Sequence, residues 1–290
     1  MPPIPGSEHL PRIVVYHQTH FKSDGEFVSL LPLVTEGTDS VGVTHLIIAA
    51  FHINENPGDI TLNDDAPDVP RNERFWEEVA LFQDIGVQVL GLLGGAAKGS
   101  FARLDGDSAS FESYYVPLRD VIKRHNLDGL DLDIEEEMSL NGVIRLIDRL
   151  KADFGSSFLI TLAPVAAALL GHRHLSGFDY ETVEVMRGQH IAWYNVQFYN
   201  NWGQLHDMTH INAIFGIGWP VEKVVVGVLS NPGLGHGYVE YEPLQRLLAM
   251  LAQTHPRFGG VMAWEFFSSK PGDESRPWEW AHGMARLLRR

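Results

Sequence analysis

Residues 127–140, LDGLDLDIEEEMSL, place three carboxyl side chains at intervals of two: Asp131, Asp133 and Glu135. Leu130, Leu132 and Ile134 fill the positions between and around them. Side chains alternate between the two sides of a strand, so the acids share one face and the apolar residues the other. Successive acids on that face lie about 6–7 Å apart along the strand, near enough to lean together. Asp131 and Asp133 cannot both ionise cheaply when close and desolvated, so they are expected to titrate as a coupled pair. Glu135, at the strand end beside two acids, is expected to be pushed toward its protonated form. A protonated carboxyl at the mouth of a pocket can donate to a departing oxygen, as cleavage of a glycosidic bond requires. Three carboxyls on an inner face are too costly to serve packing alone. Glu136 and Glu137 read instead as solvated acids at a loop or helix start. Asp128 reads as structural, tied to nearby backbone and side chains.

Such a ladder needs a frame. Short apolar runs at residues 12–17, 44–53, 87–95, 127–134, 158–164, 193–200, 222–229 and 259–267 read as eight strands. Amphipathic stretches at 72–86, 111–126, 139–155, 241–255 and 277–290 read as helices, with Pro117 best placed near a helix start. Strands alternating with helices and apolar on both faces argue for a parallel sheet. Eight such units in 290 residues predict an α/β fold of the (β/α)8 TIM-barrel type, with an open doubly wound sheet as the structural rival. The strand leucines would then pack outward on helices, while the acids line the axis and climb to the C-terminal mouth. The chain reads as a single domain, with residues 1–11 as an N-terminal extension.

Composition narrows the partners. The formal net charge is -15, which repels nucleic acid and anionic membrane surfaces and suits a neutral or cationic ligand. There are no cysteines, which excludes disulfides and thiolate chemistry. The first twenty residues lack the pattern of a secretory leader, so a cytoplasmic protein is expected; a secreted domain stripped of its leader would read the same. GGAAKGS at 94–100 places its Lys before the Gly and fails as a phosphate loop. His172 and His174 lack a third metal ligand in a matching place. Asp64, Asp65 and Asp68 lack calcium-loop spacing and read as a solvated turn. No metal and no cofactor is expected.

The run DGLDLDIE, residues 128–135, resembles the Asp-Gly-x-Asp-x-Asp-x-Glu signature of glycoside hydrolase family 18. VQFYNN (196–201) is similar to the sixth barrel strand of plant class III chitinases, GGVMAWEF (259–266) to the eighth, LGLLGGAA (90–97) to the third and IVVYHQ (13–18) to the first. The C-terminal stretch resembles fungal members. The resemblance implies a retaining, substrate-assisted glycosidase in which the sugar's own 2-acetamido oxygen attacks and an oxazolinium forms. It implies Glu135 as general acid and base, and Asp133 as the group that holds the acetamido N–H. Asp131 would share a proton with Asp133, and Tyr199 would donate to the acetamido oxygen. Trp264 would floor the sugar, Gln197 and Asn200 would touch sugar or support it, and Tyr16 would line the base of the site. Trp193, Trp202 and Trp219 read equally as platforms or packing. Non-proline cis peptides are implied at Ala50–Phe51 and Trp264–Glu265.

Two departures stand out. Leu92 occupies the place of the third-strand Ser, which removes a polar support for the inner acids. The segment after the seventh strand, residues 230–241, is too short for the extra α+β domain of processive bacterial chitinases, which implies a more open cleft. The expected partner is an oligosaccharide or polysaccharide containing N-acetylglucosamine, met by a monomer. Chitin-type cleavage, and an endo-β-N-acetylglucosaminidase cutting the chitobiose core of N-glycans, fit the same residues. A silent lectin or inhibitor on the same barrel is the reading from another class. Such relatives usually lose the acid found here at Glu135.

Overall fold

The computed structural model describes residues 10–36 and 41–289; most of the proposed N-terminal extension lies outside them. The strands are β1 (Arg12–His17), β2 (His45–Ile53), β3 (Ile60–Leu62), β4 (Gln88–Gly94) and β5 (Gly129–Asp133). They continue as β6 (Leu159–Leu162), β7 (Trp193–Gln197), β8 (Val224–Leu229) and β9 (Gly260–Trp264). All except β3 pair in parallel in the order β1-β9-β8-β7-β6-β5-β4-β2, and β1 pairs with β2 to close the ring. The result is the (β/α)8 barrel, not the open sheet. β3, absent from the sequence reading, is a three-residue antiparallel arm on the far end of β2, matching Phe51 to Leu62 and Ile53 to Ile60.

Alternation along the strands divides the apolar side chains into two bodies. Leu130, Leu132 and Ile134 belong to the large outer layer between strands and helices. Val14, Tyr16, Ile47, Leu90, Leu92, Trp193 and Met262 belong to a smaller cluster that fills the ring. Arg12 closes this interior: its guanidinium lies 4.6 Å from the Trp193 ring centroid and donates to the Glu222 and Gly259 carbonyls at 2.8 and 3.1 Å. A buried cation is tolerable there because carbonyls and a π-face replace its water.

Helices lie at Glu73–Asp84, Ser108–Arg124, Leu140–Phe154, Tyr241–Thr254 and Glu279–Leu288, near the expected places. Pro117 is a correction: it sits inside Ser108–Arg124 rather than near the start. The helix starts earlier, at Asp107, whose carboxylate accepts from the Ser110 N–H at 2.8 Å. Phe111 and Tyr115 before the proline, and Leu118, Val121 and Ile122 after it, are all buried. That burial outweighs the roughly 3 kcal/mol an interior proline costs. Helices at Tyr180–Arg187 and Thr209–Gly216 were not expected; at eight residues each, they are too short for a clear period. No described helix is long and apolar enough to cross a membrane.

Non-proline cis peptides occur at Ala49–Ala50 and Trp264–Glu265. The first lies one residue before the expected Ala50–Phe51. The β2–β4 ladder slips between Ile48 and Phe51, and Asn63 holds both backbone groups of Ala50, accepting its N–H at 3.2 Å and donating to its carbonyl at 2.8 Å.

Candidate active site

Asp131 and Asp133 point into the ring from β5, and both are buried. Asp131 sits opposite Thr161 on one side and Leu92 on the other. Its Oδ1 accepts from the Thr161 hydroxyl at 2.5 Å and the Asn195 amide at 3.0 Å; its Oδ2 accepts from the Tyr16 hydroxyl at 2.7 Å. Asn195 is itself oriented by the Trp193 indole N–H, 2.8 Å from its Oδ1. The support lost with Leu92 in the serine's place is therefore supplied by β1, β6 and β7. Burial raises the Asp131 carboxyl, and the three donors oppose the rise. The phenol of Tyr16 is held well above its ordinary value by burial and by Asp131 and Asp133, so it stays a donor.

Asp133 has a poorer set. The Gln197 amide donates to its Oδ1 at 3.1 Å and to the Ala163 carbonyl at 2.9 Å. Burial, then Glu135, then Asp131 push the Asp133 carboxyl well above its usual range. With three donors on Asp131 and one amide on Asp133, the proton of the pair belongs on Asp133. Glu135 lies just past the end of β5 and is half-buried. Burial raises its carboxyl, while the Gln197 amide and the Lys98 cation ease the rise. The arrangement holds one carboxylate and two acids primed to carry protons, in order from the ring to its rim.

The backbone approaches closely here because of glycine. Gly94 has φ +98°, and a Cβ there would lie 2.4 Å from Phe101 and 2.6 Å from the Asp133 carbonyl. Gly95 donates its N–H to that carbonyl at 2.9 Å. The glycine pair in LGLLGGAA thus lets β4 close against the acid.

Tyr199 is buried just beyond β7, and burial together with Asp133, Glu135 and Asp131 keeps its phenol protonated. Trp264, at the end of β9, is partly open and packs on Tyr16 with ring centroids 5.4 Å apart. Asp131, Asp133, Glu135, Tyr199, Gln197, Tyr16 and Trp264 thus meet at one end of the ring. Asn200 does not join them: it is exposed at φ +54°, its N–H donates to the His236 carbonyl at 2.7 Å, and its Oδ1 accepts from the His236 N–H at 2.9 Å. It ties the loops after β7 and β8 together, and its place agrees with the parity of β7, which turns Asn195 and Gln197 inward and Val196 and Phe198 outward.

Other acids have plain duties. Asp128 accepts from the Val89 N–H at 2.7 Å and the Gln83 amide at 3.1 Å. Glu136 is a correction to the solvated reading: it accepts from the Gly99 and Phe101 N–H groups at 2.8 Å and holds the loop after β4. Asp65 pairs with Arg71, and Asp68 with Arg124 and, at 3.0 Å, with His125. Trp193 and Trp219 are packing residues, buried in the ring and against Tyr194 respectively.

Sequence reasoning passed over Thr161 and Asn195, although both face inward on expected strands. It also passed over Glu265, which is buried next to Trp264. The Glu265 carboxylate accepts from the Gln18 and Thr19 N–H groups at 2.8 and 2.9 Å and from the Thr19 hydroxyl at 2.5 Å. Two of its three donors are backbone groups, which leave no trace in sequence.

Residues 12–229 match the family model "Glycosyl hydrolases family 18". The chain is similar to the solved chitinase ChiC from Aspergillus fumigatus, with 55% identity, 96% of this chain and 99% of that one covered, and a TM-score of 0.87. It is also similar to a fungal endo-β-N-acetylglucosaminidase of family 18, with 45% identity, coverage of 97% and 99%, and a TM-score of 0.92. Chitinase 2 of Rhizopus oligosporus is 30% identical over 63% of this chain, and the match spans 34% of that protein's own length.

Proposed function

Because the chain belongs to glycosyl hydrolases family 18, we propose that it cleaves β-1,4-linked N-acetylglucosamine in chitin or chito-oligosaccharides by a retaining, substrate-assisted route. The observation that carries this reading is the graded set of acids: Asp131 held by three donors, and Asp133 and Glu135 both pushed toward protonation. In the proposed cycle Glu135 protonates the leaving oxygen while the acetamido oxygen attacks, so no enzyme carboxylate bonds to the sugar. Asp133 receives the acetamido N–H and its ionised form balances the developing positive charge. Its proton is shared with Asp131 as this occurs. Tyr199 donates to the acetamido oxygen, Trp264 underlies the ring, and Tyr16 keeps Asp131 in place. Glu135 then takes a proton from water, which opens the oxazolinium with the original anomeric configuration. One chain supplies every group, so a monomer suffices.

Glu135→Gln should lower kcat by about 10²–10⁴-fold, the range for loss of a general acid, while sparing sugar binding. Turnover at the parent rate would overturn the assignment, as would a product of inverted configuration seen by NMR. The kinship with a fungal endo-β-N-acetylglucosaminidase supports a second reading, cleavage of the chitobiose core of N-glycans, by the same residues. Product release from chitotetraose against a high-mannose glycopeptide separates the two.

A further inference from the structure

We propose that the pocket beside the catalytic acids receives an anionic group, a phosphoryl or carboxylate, carried on a sugar of the substrate. This deepens the glycosidase reading and rests on it. The pocket, of about 770 Å³, lies over the C-terminal ends of β1, β2 and β4 and includes the β3 arm. Its lining carries four cations, Lys22, Arg71, Lys98 and Arg103, against a single carboxylate, Asp64. In a chain of net charge -15 that balance is reversed locally. Lys22 and Arg71 are matched by Glu26 and Asp65. The Lys98 and Arg103 side chains make no hydrogen bond or ion pair among the described residues.

These two cations flank Gly99, whose φ of +117° and missing Cβ leave room for the Arg103 guanidinium; a Cβ would sit 2.1 Å from its Nη1. Glu136 fixes this same turn through the Gly99 and Phe101 N–H groups. The cations therefore stand on a held turn rather than on a loose loop. Lys98 stands on the segment after β4 whose Gly95 N–H donates to the Asp133 carbonyl at 2.9 Å and whose Gly99 N–H is held by Glu136, the residue after Glu135, so the pocket adjoins the acids and its occupant would belong to the same substrate. Phe21, the pocket's one carbocyclic ring, has the Arg71 guanidinium 4.9 Å from its centroid. Recognition there runs through charge and hydrogen bonding rather than through sugar stacking.

The test compares kcat/KM for chitotetraose with that for the same oligomer bearing a 6-phosphoryl or a C6 carboxylate on a terminal sugar. At low salt at least one charged oligomer should be favoured by about tenfold, as expected of one charge-assisted hydrogen bond. The ratio should fall toward one at high salt and in the Lys98→Gln/Arg103→Gln double variant; a ratio is insensitive to the fraction of folded enzyme. A ratio at or below one for both charged oligomers overturns the proposal, as does a preference untouched by the double variant. If none of the three is cleaved, the glycosidase reading is what fails. Calorimetry on the Glu135→Gln protein then still decides the pocket, with tighter binding of a charged oligomer supporting it and equal or weaker binding rejecting it.

Discussion

The Gln197 amide reaches the Asp133 carboxylate at 3.1 Å and, through the same nitrogen, the Ala163 carbonyl at 2.9 Å. It is the one neutral group that eases the proton affinity of both Asp133 and Glu135. A donor to a carboxylate favours the charged form, so its removal raises both groups further. Glu135 acts first as an acid, and activity is lost as pH rises through its pKa. Gln197→Leu should therefore move the alkaline limb of the kcat/KM profile to higher pH. A limb that stays fixed, or shifts toward acid, would contradict the assignment.

Thr161→Val tests the support of Asp131. The substitution is nearly isosteric but removes the 2.5 Å donor from a fully buried carboxylate. It should cost about 1–3 kcal/mol in urea unfolding, the range for an unmet buried polar group, and lower kcat as well. Unchanged stability would mean that Asp131 needs no third donor.

The close approach of β4 to Asp133 can be separated from backbone strain alone. Gly94→Ala meets both Phe101 and the Asp133 carbonyl, whereas Gly86→Ala, at a similar φ of +89°, meets no atom within 4 Å. Each should lose about 1 kcal/mol or more for the left-handed backbone. Gly94→Ala should lose more and should also depress kcat. Equal losses with intact activity would remove the steric argument.

Much of this was legible in residue alternation. The parity that put Leu130 outward and Asp131 inward located the barrel, the inner acids and the strand ends that carry Tyr199 and Trp264. The same parity applied to FLITLAP and WYNVQFYN would have turned Thr161 and Asn195 inward, toward Asp131. It was silent where a residue answered to backbone groups, as Glu136 and Glu265 do; Asn200, an outward position by the same parity, takes its expected sugar role from resemblance alone. Pro117 was misplaced because a local propensity was set against buried contacts on both sides of it.

Two buried histidines should govern acid stability. His17 packs at a tilt on His20, which stacks on Phe75, and burial holds His17 well below its ordinary value and His20 down to about 4. Both are neutral in the folded protein. As pH falls from about 6.5 toward 4 the unfolded chain takes up protons that the folded one refuses, and stability is lost, roughly 3 kcal/mol for His20. The raised carboxyls of Asp131, Asp133 and Glu135 act with the opposite sign, since the folded state holds their protons longer. His20→Gln should flatten the loss between pH 6.5 and 4 in denaturant titrations. An unaltered slope would show that His20 is not its source.

The ring closes between β1 and β9, joined near one end by Arg12 and Gly259 and at the other by Glu265 with Gln18 and Thr19. Tyr16 and Trp264 thus become neighbours only when the ninth strand is in place. During synthesis the catalytic mouth must remain unfinished until the ribosome has released residue 265, long after the acids of β5 have emerged. A nascent chain halted earlier would carry the whole acid signature and no working enzyme.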